Sequence, residues 1–368
     1  MIITSLSLHN WRNIENCSIY PDKGVNVIFG KNAQGKTNLI EALWLCTGLR
    51  SFRGAKEAEF VRFGQKTCLI ETEFISEQRN RKIEYALSED SKKILLSGVT
   101  LHSPSELCEA FRCVVFSPEN LSLIKGAPAA RRKFLDAALC QLKPSYRKLI
   151  NSYRRAVEQR NALLREFSRR EGVSYLSDMM DTFENHIAAL GMKISTQRQK
   201  YIEKIIPFST EFFLGLSSKS EQLVLRYTGE EYVQEDGAEK LKRELEKSRP
   251  NDCRLLTTSV GPHRHDLEIS INGISSRNFG SQGQQRSAAL ALKLAEASLL
   301  REFTGEEPAV LLDDVMSELD TGRQDYILNR LEGRQVFITC CDPAPLMKMT
   351  GGKAFLAQAG KIQETREI

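Results

Sequence analysis

Gly30-Lys31-Asn32-Ala33-Gln34-Gly35-Lys36-Thr37 is the stretch on which the fold turns. It matches GxxxxGK[ST] without a gap and lies between an apolar strand pattern, Val25 to Phe29, and a helical pattern opening at Leu39. A phosphate-binding loop needs that setting. Its glycines let backbone N–H groups close around phosphate oxygens, and the following helix adds its positive end. All eight residues are therefore expected nucleotide contacts. Lys36 is placed to reach the β- and γ-phosphates, and Thr37 to offer its hydroxyl to Mg²⁺.

A second stretch gives the loop a partner. Ala309-Val310-Leu311-Leu312-Asp313-Asp314 is four apolar residues followed by two acids. A buried strand delivers such carboxylates to the crevice at its carboxyl end, where a phosphate loop also opens. Asp313 is expected in the Mg²⁺ shell beside Thr37. Asp314 is expected to act with Lys36 in catalysis, as base or positioning group for the attacking water. Upstream, Ser281-Gln282-Gly283-Gln284-Gln285-Arg286 opens a helix, and such a Ser/Gly start is suited to an anion. An ordinary N-cap would account for Ser281 but not for the residues after it.

Bulk properties bound the rest. A chain of 368 residues implies two or three domains. With 41% hydrophobic and 27% charged residues it reads as globular, not disordered. No apolar run approaches the ~18 residues of a membrane span, and the alternating N-terminus reads as a strand, not a signal peptide. Nine cysteines without a Cys-x-x-Cys pair, and five scattered histidines, point to a reduced, cytoplasmic protein with no structural zinc.

Along the chain, strand patterns at Thr67–Phe74, Arg81–Leu87 and Lys92–Leu96 suggest an antiparallel meander, and Cys113–Phe116 gives one more short apolar strand. From about Pro128 to Ile206 the pattern is helical, in helices too short for a long coiled coil. Leu223–Tyr227, Leu267–Ile271 (ending at an Asn272-Gly273 turn) and Val336–Thr339 read as strands. The helical segment is also the basic one: Lys125–Arg170 holds 13 Lys/Arg against 3 acids. Arg131, Arg132, Lys133, Arg147, Arg154 and Arg155 are the expected DNA-phosphate contacts, with Lys148, Arg160, Arg165 and Arg169 in the same array. On charge alone, solvated helix faces explain the same count. No base-reading motif is visible.

Taken in order, phosphate loop, helical insertion, Ser281 segment, paired acids, Ser317-Glu318-Leu319-Asp320 and final strand resemble the ABC-type ATPases. The Ser281 segment is similar to their signature motif and Ser317–Asp320 to their D-loop. Three further stretches are similar to the RecF family in particular: Val115-Phe116-Ser117-Pro118-Glu119-Asn120-Leu121, Gly261-Pro262-His263-Arg264-His265-Asp266-Leu267, and Phe279 to Arg286. The resemblance implies an α/β ABC-type ATPase head, a P-loop core with an antiparallel β-portion, and an inserted helical lobe. The expected segments are 1–120 (head), 121–250 (basic lobe) and 251–368 (head). It adds Arg12 and Asn13, near the N-terminal strand, and Ser281, Gly283 and Gln284 as nucleotide contacts, the last three reaching the opposite subunit of an ATP-dependent homodimer.

By the same resemblance the chain is an ATP- and Mg²⁺-dependent, nucleoid-associated protein of recombinational repair and replication recovery, with weak DNA-stimulated ATPase activity. Its implied partners are duplex, gapped or single-stranded/duplex junction DNA, the mediators RecR and RecO, and RecA, with no membrane. An SMC-like or repair-nuclease ATPase, or a transport nucleotide-binding subunit, are the rival readings. Some positions depart from the pattern. His265 stands where an acid is usual, and Cys340 where many ABC ATPases carry a switch histidine. No glutamine occurs at Ser117–Glu119, and Asp314 replaces the usual glutamate. These departures imply slow hydrolysis, suited to a switch. His263 and Arg264 receive no role.

Overall fold

The computed structural model describes residues 1–167, 174–217, 221–344, 346–347 and 352–365. Arg169 lies outside them. The chain divides into two compact units, Met1–Leu121 with Glu211–Lys219 and Ala289–Ile368, and Ser122–Thr210 with Ser220–Ala288.

The strands in chain order are β1 Ile2–Trp11, β2 Ile14–Ile19, β3 Val25–Phe29, β4 Thr67–Ser76, β5 Arg79–Ser88, β6 Lys92–Leu96, β7 Val99–Thr100 and β8 Cys113–Phe116. They continue with β9 Leu223–Tyr227, β10 Leu267–Ile271, β11 Ile274–Ser275, β12 Ala309–Asp313, β13 Val336–Cys340, β14 Lys353–Gln358 and β15 Lys361–Thr365. The first unit holds two six-stranded sheets. One, β2-β1-β4-β5-β6-β7, is antiparallel throughout, and its strands alternate buried and exposed residues. In the other, β15-β14-β3-β13-β12-β8, all pairings are parallel except that of the edge strand β15. Its inner strands β12 and β13 are buried at every position, as a sheet covered on both faces requires. Cys113–Phe116 closes this second sheet as β8, beside β12.

That strand order positions the site. β13 lies between β3, which feeds the Gly30 loop, and β12, which ends in Asp313. Register pairs Asp313 with Thr339 and Thr339 with Ile28, so loop, acid and threonine emerge at one sheet end.

The second unit joins helices to a small antiparallel sheet, β11-β10-β9. Pairing Leu267–Ile271 to Leu223–Tyr227 draws residues 251–288 into this unit, so the division departs from the expected segment at 251. The helix Ser174–Leu216 is longer than its sequence suggests: 43 residues, about 64 Å at the usual rise. It runs through Pro207, the expected end of the helical region. Buried residues on both sides, among them Ile202, Ile205, Phe212 and Phe213, carry it past a local break. Among the described residues no helix is long and apolar enough to cross a membrane.

Candidate nucleotide and anion sites

The Gly30–Thr37 loop leaves β3 and enters the helix Lys36–Leu45. Three of its residues take positive φ: Gly30 (141°), Ala33 (64°) and Gly35 (109°). Gly30 must be glycine for a second reason, since a Cβ there would stand 2.3 Å from Ala357 O. Lys36 is only 7% exposed. Its ammonium donates to Gly30 O (2.6 Å) and Lys31 O (3.1 Å), which curls the loop around the side chain.

Thr37 Oγ1 donates to Asp313 Oδ1 at 2.9 Å, and Thr339 Oγ1 donates to the same oxygen at 2.8 Å. Burial pushes the Asp313 carboxyl pKa upward against these two hydrogen bonds, which favour the carboxylate. Asp314 has φ 53°. Its N–H donates to Thr339 Oγ1 (2.9 Å), and its Oδ1 accepts from Ser317 Oγ (3.0 Å), so the Ser317–Asp320 segment orients the second acid. Asp320 closes the segment by capping the helix Thr321–Arg330 through Arg323 N.

Arg12 and Asn13 stand beside the loop. Arg12 is fork-bonded to the fully buried Glu41, with Nε to Oε2 at 3.0 Å and Nη2 to Oε1 at 3.1 Å. Asn13 donates to Ala33 O (3.3 Å) and accepts from Asn38 Nδ2 (2.7 Å). With Asn38, Arg53, Arg62 and the exposed Phe63 they line an open cavity of about 860 Å³. The remaining loop side chains face outward: Lys31, Asn32 and Ala33 are exposed, and Gln34 accepts from Ala359 N at 2.6 Å.

Cys340 is buried, and desolvation pushes its thiol up to about 12, so it presents no anion-sensing group. Its neighbour went unnoticed in the sequence. Cys341 is the exposed member of the nine thiols, with Sγ 3.9 Å from Lys36 Nζ and 3.3 Å from Asn32 Oδ1. Its position directly after an apolar strand was the available signal.

The Ser281 segment belongs to the second unit. Ser281 Oγ accepts from Gln284 N (3.2 Å) while Gln284 Oε1 accepts from Ser281 N (2.8 Å), a reciprocal cap on the helix Gln282–Thr304. Gln284 Nε2 is held by Glu221 at 2.5 Å, and Gly283 is half-buried. Because the cap uses a lone pair of Ser281, the hydroxyl proton stays free to be donated.

The basic array divides sharply. Arg131 is buried and fork-bonded to Asp266 (2.7 Å twice), with further bonds to Leu123 O and Gly126 O. Arg160 is fully buried between Glu184 and Asp252. Both are corrected from DNA contacts to internal ion pairs. Arg132 is half-buried and donates to His265 O (2.8 Å), and Arg147 is half-buried too. Lys133, Lys148, Arg154, Arg155 and Arg165 are exposed, although Arg154 lies 3.5 Å from Asp136. A fully buried arginine absent from the expected array, Arg198, joins Asp136 to Pro262 O.

Next to it, His263 Nδ1 meets Tyr153 Oη (2.7 Å) while its Nε2 meets Thr258 O (2.9 Å). His265 stacks on Tyr232 and meets Tyr227 Oη at 3.0 Å. Desolvation, aided by nearby arginines, pushes the two histidines down to about 4 and about 3. Both are neutral, and Arg264 bonds to Thr258 O.

Comparison with known proteins agrees with the fold. The family model described as RecF/RecN/SMC N terminal domain matches residues 2–362. A DNA replication and repair protein RecF of Caldanaerobacter subterraneus subsp. tengcongensis is 40% identical over 344 residues, 92% of this chain and 94% of its own length. The one from Clostridium perfringens (strain SM101 / Type A) is 34% identical over 366 residues, 99% of this chain and all of its own. A solved structure of the recombination mediator protein RecF with ATP, in the RecFOR pathway, superposes with TM-score 0.91 at 38% identity, covering 99% of this chain and 97% of that one. The Smc head domain of Pyrococcus furiosus, at TM-score 0.57 and 17% identity, shares the ABC-type head fold. The chain therefore belongs to the RecF/RecN/SMC family of ABC-type ATPases and, within it, to the RecF branch of DNA replication and repair proteins.

Proposed function

We propose that the chain binds ATP with Mg²⁺ at the Gly30–Thr37 loop and hydrolyses it slowly. ATP then joins two copies, each presenting its Ser281 helix to the other's nucleotide. The observation that carries this reading is the convergence of Thr37 and Thr339 on one Asp313 oxygen. A hydroxyl and a carboxylate held together at the phosphate loop are hard oxygen donors, the set that suits Mg²⁺ completed by phosphate oxygens and water. When bound, the ion would neutralise charge on the terminal phosphates. Lys36 would hold the β- and γ-phosphates, Arg12 and Asn13 would border the nucleotide, and Asp314, fixed by Ser317, would orient water. The free proton of Ser281 and the half-buried Gly283 are suited to a phosphate from the second copy.

The exposed Lys133, Arg154 and Arg155, with Arg132 and Arg147 at their edges, are the side chains offered to DNA phosphates. Binding would be sequence-independent and salt-sensitive. In this reading the dimer marks gapped or duplex DNA and passes it, through mediators like RecR and RecO, to a recombinase of the RecA kind. Sedimentation with Mg²⁺, with and without ATP, tests the core of it. A dimer that forms with ATP and is absent in Lys36→Met and in Ser281→Ala supports the composite site. A protein that binds ATP yet stays monomeric overturns it.

A further inference from the structure

Asp314 holds a left-handed backbone, φ 53°, which a non-glycine residue keeps only where its surroundings fix it. Ser317 is one of those surroundings: its Oγ lies 3.0 Å from both Oδ1 and the backbone oxygen of Asp314. Yet Ser317 sits in a short turn, Met316–Glu318, with little support of its own. Its backbone bonds are long, Glu318 N to Val315 O at 3.2 Å and Leu319 N to Met316 O at 3.3 Å. Met316 and Leu319 are buried, where backbone carbonyls need a partner within the chain.

Gln324 supplies it. Its Nε2 donates to Met316 O at 2.7 Å and to Leu319 O at 3.1 Å, one carbonyl on each side of Ser317 and Glu318. The helix Thr321–Arg330 accounts for the reach. Side chains on a helix lean toward its N-terminus, so Gln324 lies back over the first turn. Asp320 caps that turn and ties it to the segment being held. The two amide protons of Gln324 thus clasp the turn that carries Ser317.

We propose that Gln324 is a positioning residue for hydrolysis, whose amide holds Ser317 against Asp314. This rests on the water-orienting role given to Asp314 above. Because Gln324 acts through Ser317, its loss falls on turnover and leaves ATP binding alone. A reacting group displaced by ~1 Å can cost ~100-fold in rate.

The test is single-turnover ATP hydrolysis by the full chain, with ATP affinity measured beside it. Gln324→Met keeps the length of the side chain without its donors. It should lower the rate roughly 10- to 100-fold at unchanged ATP affinity. Gln324→Lys, which restores a donor within reach of both carbonyls, should recover most of that loss. Ser317→Ala should lower the rate as well. Adding Gln324→Met to it should then cost no more than about twofold further, since both changes remove one contact. A wild-type rate in Gln324→Met overturns the proposal. So does an equal loss in Gln324→Lys, or losses that multiply in the double variant, since either outcome makes Gln324 merely structural. Wild-type hydrolysis that survives Asp314→Asn undiminished sinks the reading of Asp314 itself, a result distinguishable from the others.

Discussion

Thr37 and Asp313 stand 276 residues apart in sequence, yet the hydroxyl of one donates to the carboxylate of the other at 2.9 Å. Removing either group takes one hard ligand from the proposed ion. Thr37→Ala should weaken Mg²⁺-dependent ATP binding about tenfold, and Asp313→Asn at least as much. Isothermal titration with and without Mg²⁺ reads both. Equal affinity for wild type and Thr37→Ala in Mg²⁺ would remove the hydroxyl from the shell.

Asp314 lies just outside that pair, fixed by Ser317 and the Thr339 hydroxyl. Asp314→Asn should lower turnover by roughly 10²- to 10⁴-fold, the range for a general base, while nucleotide still binds. Single-turnover hydrolysis beside ATP affinity separates the two effects. Residual turnover near the wild-type rate would assign the water to another group.

Exposure separates the arginines expected to act on DNA from those expected to act on stability. Arg131→Ala leaves Asp266 without its fork-bonded partner and should cost about 3–5 kcal/mol in chemical denaturation. Arg155→Glu should leave the denaturation midpoint in place and weaken DNA binding across all sequences. Loss of its phosphate contact should reduce the steepness of the salt dependence by about one ion per site. Salt-titrated anisotropy on random-sequence duplexes checks this, and no change would exclude that face.

His263 and His265 give an acid limit. Their folded pKa values, about 4 and about 3, lie below the usual 6.5, so unfolding takes up protons between those values and pH 6.5. Their contribution is complete above pH 6.5 and is lost as pH falls toward 4 and then 3. Each ring should cost up to ~1.4 kcal/mol per pH unit in that window. Denaturation midpoints at pH 7, 6 and 5 should fall, and fall less in a His265→Asn variant than in wild type. Identical slopes would place the titration elsewhere.

The legible parts of this protein are local. Gly30–Thr37 announces its loop because a phosphate cradle needs glycines at fixed offsets, and Ala309–Asp314 announces a buried strand ending in acids. Arg131 and Arg160 show where reading by type fails. In sequence they belong to a basic array, and only the chain's return at Asp266, Glu184 and Asp252 turns them into internal ion pairs. Pro207 fails the opposite way, since its local meaning is overridden by buried residues on both sides.

The placement of sulfur has a practical side. Seven of the thiols are buried and Cys253 is half-buried, while Cys341 faces solvent at the lip of the phosphate loop. The unaltered chain thus carries its own attachment point for a maleimide dye, at a spot where an incoming triphosphate would crowd it. Occupancy of the loop can be followed by fluorescence without engineering a cysteine into a protein that already has nine.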